Sequence, residues 1–220
     1  MGIWIRIAAS YHRRLGRASW SLAARSAFSR GTYRFGAYRR LDDPGVTQGL
    51  ARDLFAFVTE RRGFEHAFNT FVAIFGQYEA DDAAPELSFE RALWGQLGRL
   101  HDFDRAHHGW DPAVSADPSD DTFSYSFAAT AFFVVGFHRG STRSARRFAW
   151  PALIFNGHDQ FDALRRNGGF ERLQDKIRKR ELKLDGSLNA NLAAFGERSE
   201  ARQYAGRPVP DEWKCPFQTR

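Results

Sequence analysis

Two histidines flank an arginine-rich segment in the middle of the chain. His138 directly precedes the segment 139–147, and His158 follows it after a short apolar run. The segment contains Arg139, Ser141, Thr142, Arg143, Ser144, Arg146 and Arg147. Guanidinium forks, hydroxyls and backbone N–H groups bind carboxylate or phosphate well, and imidazole is a common metal ligand. The combination suits a flat cofactor that carries acid groups, although a histidine at a strand end is more often a hydrogen-bonded structural residue.

Three further candidates lie near the end of the chain. Glu197 and Glu200 could clamp a cationic substrate through paired hydrogen bonds to a guanidinium, or they could belong to a charged surface loop. Cys215 is the single cysteine, and its thiolate could bind a metal. A cysteine followed by proline in this position is more often a packed residue.

A second group of histidines lies on a predicted helix. His101 and His108 are two turns apart on one face with Asp104 between them, which is a geometry that could bind a metal. The signal is weak, and a solvated helix face is the favoured interpretation.

Several chemistries are not supported by the sequence. GxSxG, Walker and GxGxxG motifs are absent, and one cysteine cannot form an intrachain disulfide, which favours a reducing cytoplasm. The net charge of +6 over 220 residues raises the question of nucleic acid or an anionic membrane as a partner. We expect neither, because the excess is largely arginine rather than lysine and no nucleic-acid-binding motif appears.

The candidate residues must be positioned by strands and helices that the apolar pattern predicts. Alternating and continuous apolar runs predict strands, whereas apolar residues at helical spacing, with capping and turn residues, predict helices. The predicted strands lie near 69–75, 123–128, 131–137 and 151–155, and the predicted helices near 46–61, 88–107, 159–166 and 170–184. This order predicts an α+β fold, a single domain with a mostly antiparallel sheet packed by helices.

The first forty residues differ in composition from the rest, since they contain nine arginines and no acidic residue. Their apolar stretch is too short for a signal peptide or a membrane span. We therefore expect residues 1–24 to form a basic arm or helix, and residues 25–220 to form the domain.

Long motifs in the second half of the chain resemble the YqcI/YcgG family. The matching stretches are AFFVVGFHRGSTRSARRFAWPALIFNGHDQF, LDGSLNANLAAFGERSEARQYAGR and WKCPF. WDPAVSADPSDDTFSYSF and FVAIF, further upstream, are similar to the family too, so the resemblance covers roughly residues 25–217. Some members of this family resemble haem-dependent N-hydroxylases that oxidise a guanidino nitrogen of arginine or of an arginine-derived substrate.

The resemblance implies haem b as the cofactor. It implies a histidine as the iron ligand, for which we expect His158, with His138 and then Cys215 as alternatives. Ser141, Arg143, Arg146 and Arg147 would lie near the cofactor, with the arginines at its propionates, and Glu197 or Glu200 would lie near the substrate guanidinium.

The sequence also departs from the family pattern. Arg139 and Gly157 stand where family members usually or often carry proline, and Ser26-Ala27-Phe28 replaces a Cys-Pro. These departures leave the ligand positions in place but bear on the substrate.

The resulting expectation is a haem-dependent monooxygenase that N-hydroxylates a guanidino or amine nitrogen of a small cationic metabolite. O2 and an unidentified electron donor are implied as further partners, and a homodimer is left open. The alternative is a non-catalytic haem- or anion-binding protein. A third hypothesis, nucleic-acid binding through the basic N-terminal arm, predicts an affinity that falls steeply with salt.

Overall fold

A five-stranded open sheet organises the computed structural model of the protein, which describes residues 31–63, 68–166 and 168–219. The strands are β1 (Tyr33–Arg40), β2 (Thr70–Gln77), β3 (Tyr125–Phe127), β4 (Thr130–Phe137) and β5 (Ala152–Gly157). Their order in the sheet is β1-β2-β5-β4-β3. β1 and β2 pair in parallel, whereas the other neighbours pair antiparallel. The predicted α+β fold with a mostly antiparallel sheet is confirmed.

Five helices accompany this sheet in the described part of the chain. They are α1 (Thr47–Arg61), α2 (Pro85–Asp104), α3 (Asp159–Arg166), α4 (Gly169–Asp185) and α5 (Ala201–Tyr204). The four predicted helices and four predicted strands are all present, with ends that shift by a few residues. No helix among the described residues combines the length and apolar composition needed to span a bilayer.

Three local features differ from the predictions. The apolar pattern does not predict β1, because its arginines hide the alternation of an edge strand in which only Gly36 and Tyr38 are buried. It does not predict α5 either, which is too short to show a helical period. Ser88 lies in the first turn of α2 instead of capping it, and its hydroxyl donates to the carbonyl of Ala84. The predicted arm at residues 1–24 lies outside the described residues.

The two faces of the sheet carry different apolar residues, because successive side chains of a strand point to opposite faces. One face packs against α1 and α2 and forms the larger core, which includes Phe71, Phe75, Phe132, Val134, Leu153 and Phe155. The other face carries Val72, Ile74, Val135, Phe137 and Ile154. The hairpin of α3 and α4 lies over this second face at β4, and the candidate site forms between them.

A two-residue turn joins β3 to β4 in a conformation that L-residues rarely adopt. Ala128 and Ala129 have φ values of 50° and 53°, and a left-handed residue other than glycine costs roughly 1–2 kcal/mol. Asp104 at the end of α2 accepts a hydrogen bond from the N–H of Ala128 at 2.8 Å, and Asp111 accepts one from Ala131 at 2.8 Å. Two carboxylates from outside the hairpin therefore stabilise the turn.

α2 packs closely on β4 at a glycine. A Cβ atom on Gly136 would lie 2.6 Å from a ring carbon of Phe89 and 2.9 Å from a methyl of Leu93. These side chains belong to the fully buried core, so they have little space into which they could retreat.

Gly136→Ala is therefore expected to lower the free energy of unfolding by about 1–3 kcal/mol through overpacking. Gly98→Ala is the matched control, because Gly98 lies inside α2 and a methyl group added there would meet nothing within 4 Å. That control should raise the free energy of unfolding by about 0.5–1 kcal/mol, since alanine favours the helix. Urea unfolding measures both changes, and equal shifts for the two variants would contradict the close approach.

Candidate functional site

An aromatic cavity of about 190 Å³ lies between β4 and the hairpin of α3 and α4. Its apolar walls include the rings of Phe133, Phe137, Phe161, Phe170 and Phe195. Its polar groups include Arg146, Arg165, Glu181, Glu200 and Gln203. Apolar and aromatic walls that also carry charged and amide groups are typical of a small-molecule site.

Glu200 is a buried carboxylate in the wall of this cavity. Its Oε2 accepts a hydrogen bond from the hydroxyl of Ser124 at 2.9 Å, and its Oε1 lies 3.6 Å from Nε2 of His158. The residue directly precedes α5, where the carbonyl of Glu200 accepts the N–H of Gln203 at 2.8 Å. A carboxylate is expensive to bury without partners, so Ser124 and His158 are needed to keep it in place.

His158 is held at the end of β5 by its backbone N–H, which donates to the carbonyl of Ala131 at 2.9 Å. Its ring lies edge-on to Phe195 with 4.4 Å between centroids, and its Nδ1 is 3.5 Å from a carboxylate oxygen of Asp162. Burial by itself lowers the pKa of His158, but the negative charges of Glu200 and Asp162 outweigh burial and raise it above the ordinary value. Nε2 has no hydrogen-bond partner at ordinary distance.

Arg146 closes the end of the cavity next to β4. Its guanidinium donates to the carbonyls of Gly136 at 3.2 Å, Gln203 at 2.9 Å and Tyr204 at 3.3 Å. β3 ends its pairing with β4 at Phe132, so the edge of β4 at Gly136 needs a donor from elsewhere. Burial lowers the pKa of Arg146 to about 10, so the group still carries its charge at neutral pH.

The other predicted cofactor contacts in the segment 139–147 are engaged within the protein. Arg143 is buried and donates to Glu181 at 2.8 Å and to the carbonyl of Ser187 at 2.7 Å. Its Nε also lies 3.7 Å from Asp185, so it ties the C-terminal end of α4 to the segment. The Ser141 hydroxyl contacts the backbone of Arg143, and the exposed Arg147 donates to the carbonyl of Ser141 at 3.1 Å.

The structure does not bring His138 and His158 together. The strands that carry them are antiparallel, with Phe137 opposite Ala152 and Phe132 opposite Gly157. His138 therefore lies about seven residues, or about 24 Å, along β4 from the backbone of His158. It also lies on the other face of the sheet, where its ring stacks on Phe89 with 4.3 Å between centroids.

Two more of the predicted residues lie away from the cavity. Glu197 is exposed, and its carboxylate accepts the N–H of Ala194 at 2.8 Å in a local turn. Cys215 packs against the larger core, and burial raises the pKa of its thiol to about 12. A protonated thiol is a poor metal ligand, so the packed interpretation of Cys215 agrees with its surroundings.

His101 and His108 do not share a solvated face as the sequence suggested. His101 is buried, with its ring edge-on to Trp110 and Phe217 at 5.5 and 5.6 Å between centroids. His108 instead pairs with Asp104, with 2.7 Å between Nδ1 and a carboxylate oxygen. Within residues 31–63, 68–166 and 168–219, no three His, Cys, Asp or Glu side chains are grouped so that they could hold a metal ion.

The glycine at position 157 makes room for a neighbouring cation. A Cβ atom there would collide with the guanidinium of Arg61, which pairs with Asp159 at the start of α3. The same guanidinium group donates to Asn69 at 2.8 Å. The family resemblance leads one to expect proline at this position. Glycine there instead allows Arg61 of α1 to pair with Asp159 at the start of α3, beside His158.

Sequence reasoning missed three residues of the site: Asp162, Arg165 and Phe195. Asp162 follows His158 by four residues at the start of a predicted helix, so helical spacing was an available signal for that pair. Phe195 lies in a loop without period, and its contact with His158 depends on the course of residues 186–200.

The donor chemistry around His158 fits a haem iron ligand, since Nε2 of this buried imidazole has no hydrogen-bond partner at ordinary distance and a carboxylate lies near Nδ1. The aromatic walls suit a flat ring, and Arg165 and the exposed Arg178 at the cavity offer cations for acid groups. The cavity of about 190 Å³ is smaller than the roughly 300–1,000 Å³ of typical ligand pockets. Haem would therefore fit only if the hairpin of α3 and α4 moved away from β4.

The fold and the site define a single-domain α+β protein with a buried acid and imidazole pair beside an aromatic cavity. The chain belongs to the YqcI/YcgG family, whose model matches residues 21–218. This match confirms the family predicted from the motifs. No curated protein and no solved structure shows significant similarity to the chain.

Arg143 is expected to hold α4 over the cavity. Arg143→Met leaves Glu181 buried without its charged partner, which costs about 3 kcal/mol and corresponds to about 100-fold more of the open form. Trypsin should then cleave at Lys176, Lys179 and Lys183 about 100-fold faster, because cleavage requires the helix to open. Arg139→Met is the matched control, since it removes one exposed arginine nearby. Equal cleavage rates in the two variants would exclude this role.

His138 should make stability depend on pH. Burial lowers its pKa to about 4, whereas the unfolded value is about 6.5. The unfolded chain therefore binds the proton more readily, so stability is complete above pH ~6.5 and is lost as the pH falls toward 4.

Between pH 7 and pH 4.5 the wild-type chain should lose about 2–3 kcal/mol relative to His138→Phe, measured by urea unfolding. The exposed His107 provides the control, and His107→Phe should follow the wild-type curve. Parallel curves for wild type and His138→Phe would show that this imidazole is not held neutral.

Proposed function

We propose that this protein is a haem-dependent monooxygenase that N-hydroxylates a guanidino or amine nitrogen of a small cationic metabolite. The observation that carries the proposal is the pair of Glu200 and His158 at the wall of the aromatic cavity, with 3.6 Å between Oε1 and Nε2. One member supplies an iron ligand, and the other supplies a negative charge for a cationic substrate. The family resemblance, which led us to expect haem and a guanidino nitrogen, supports the same assignment.

His158 would hold the haem through Nε2, with Asp162 orienting the ring from Nδ1. Bound haem would activate O2 with two electrons from an external donor, so that one oxygen atom reaches the nitrogen and the other leaves as water. Haem binding at Nε2 would require a neutral imidazole, so the proton that the neighbouring Glu200 and Asp162 favour on His158 would have to leave.

Glu200 would bind the positive charge of the substrate and take up the proton that the nitrogen loses. With His158 holding a haem, Glu200 would no longer have the imidazole as its partner and would keep the hydroxyl of Ser124. A buried carboxylate in that state favours a cation strongly. The surrounding Phe133, Phe161 and Phe195 exclude water from the reacting nitrogen.

A second candidate is a non-catalytic protein that binds an anion or haem in the same cavity. Arg146 favours it, because this half-buried cation donates to three backbone carbonyls rather than to a carboxylate. An anionic ligand in the cavity would provide the missing negative charge.

Protein purified after haem supplementation should show a Soret absorption band, and His158→Ala should remove it. His138→Phe is the matched control and should keep the band, because His138 lies on the other face of the sheet. Glu200→Gln should keep the band but lower the oxygen-dependent turnover of L-arginine at least about 100-fold, since the charge that holds the substrate is gone.

The two candidates give different results in these measurements. A Soret band without any oxygen-dependent product from arginine analogues would exclude the monooxygenase and support the non-catalytic binding protein. No Soret band in the wild-type chain, or a band that survives His158→Ala, would overturn the assignment of haem to this residue.

A further inference from the structure

The cavity holds one of the protein's own guanidinium groups between two aromatic rings. The Cζ atom of Arg165 lies 4.6 Å from the ring centroid of Phe170 and 5.3 Å from that of Phe195. Phe195 in turn contacts the ring of His158 at 4.4 Å between centroids. Phe195 therefore contacts both the guanidinium and the candidate iron-binding imidazole.

A carboxylate completes the surroundings of this guanidinium. Asp162 accepts a hydrogen bond from Arg165 at 2.6 Å, and its other oxygen faces His158. Two aromatic faces and one carboxylate are the groups that recognise a planar cation, because the rings attract positive charge and the carboxylate accepts N–H bonds. The groups that surround Arg165 could therefore bind the guanidinium of another molecule in the same way.

Arg165 is also able to leave. Its side chain is 29% exposed and that of Asp162 is 42% exposed, so neither is locked in the core. Arg165 lies one residue before the end of α3, directly before the turn that leads to α4 at Gly169. A rotation about its side-chain bonds would place the guanidinium in solvent at little cost, whereas Phe170 and Phe195 would remain in the cavity wall.

We propose that Phe170, Phe195 and Asp162 form a binding site for an alkylguanidinium group and that Arg165 occupies this site as an internal competitor. Because Arg165 fills these contacts, a cationic ligand must displace it to bind beside Phe170 and Phe195, in the cavity whose wall also carries Glu200. The link between this ligand and the substrate rests on the proposed function, but the binding site itself does not require haem. Arg165 would thereby reject neutral molecules, which cannot replace its cation–aromatic contacts.

The test is calorimetric titration of the full-length chain, as purified, with L-arginine and with the neutral isostere L-citrulline. Arg165→Ala should bind L-arginine about tenfold more tightly than the wild type, because the competitor is gone, and should leave citrulline binding unchanged. Arg166→Ala is the matched control, since it removes an exposed charge from the adjacent position, and it should change neither affinity. Arg165→Gln, which keeps a hydrogen-bond donor for Asp162, should reproduce the gain if the alanine variant is poorly folded.

The contribution of the two aromatic rings, Phe170 and Phe195, is tested in the Arg165→Ala background. Adding Phe170→Leu should return the L-arginine affinity to the wild-type value, because it removes one of the two rings. Equal L-arginine affinity in wild type and Arg165→Ala, no detectable binding to either, or the same gain for citrulline would overturn the proposal. A tenfold gain without any Soret band would keep this site and overturn the haem function, whereas a Soret band without the gain would do the reverse.

Discussion

The burial of Glu200 is the constraint on which the arrangement of the candidate site depends. An ionised carboxylate in an apolar wall is stable only if hydrogen bonds and an opposite charge replace the water that it has lost. Ser124 and His158 fulfil that need from the strand ends next to β3 and β5, so a residue of the C-terminal segment joins two parts of the sheet. The geometry of both chemical groups is therefore fixed before any ligand arrives.

The hairpin of α3 and α4 is attached to the fold differently from the two long helices that pack on the sheet. Glu181 is the only buried residue described for α4, and its partner is Arg143. The sheet and its two long helices bury continuous apolar surface, whereas α4 is attached mainly by charge and by aromatic contacts along one side. A rigid sheet with a loosely attached helical hairpin over it is well suited to a cavity that must open to admit a ligand larger than the cavity volume.

Much of the fold could be predicted from the sequence, because runs such as Ala131–Phe137 have few alternatives to a buried strand. The edge strand β1 could not, since its arginines carry no clear alternation. The site divides in the same way: the sequence identified Glu200 and His158 as candidates, but it could not tell them from Glu197 and His138. That distinction depends on antiparallel pairing, which sends the ends of β4 and β5 in opposite directions, and on the face that each side chain takes.

The turn at Ala128 and Ala129 has a consequence for how the chain folds. A hairpin with Asn-Gly in this turn closes by local preference alone, but two alanines with positive φ oppose closure. The compensating hydrogen bonds come from Asp104 and Asp111, and Asp104 reaches the turn only when the end of α2 is in place. We therefore expect β3 and β4 to pair late, after the helix has docked, which makes this hairpin a product of long-range contacts and raises the kinetic barrier to folding.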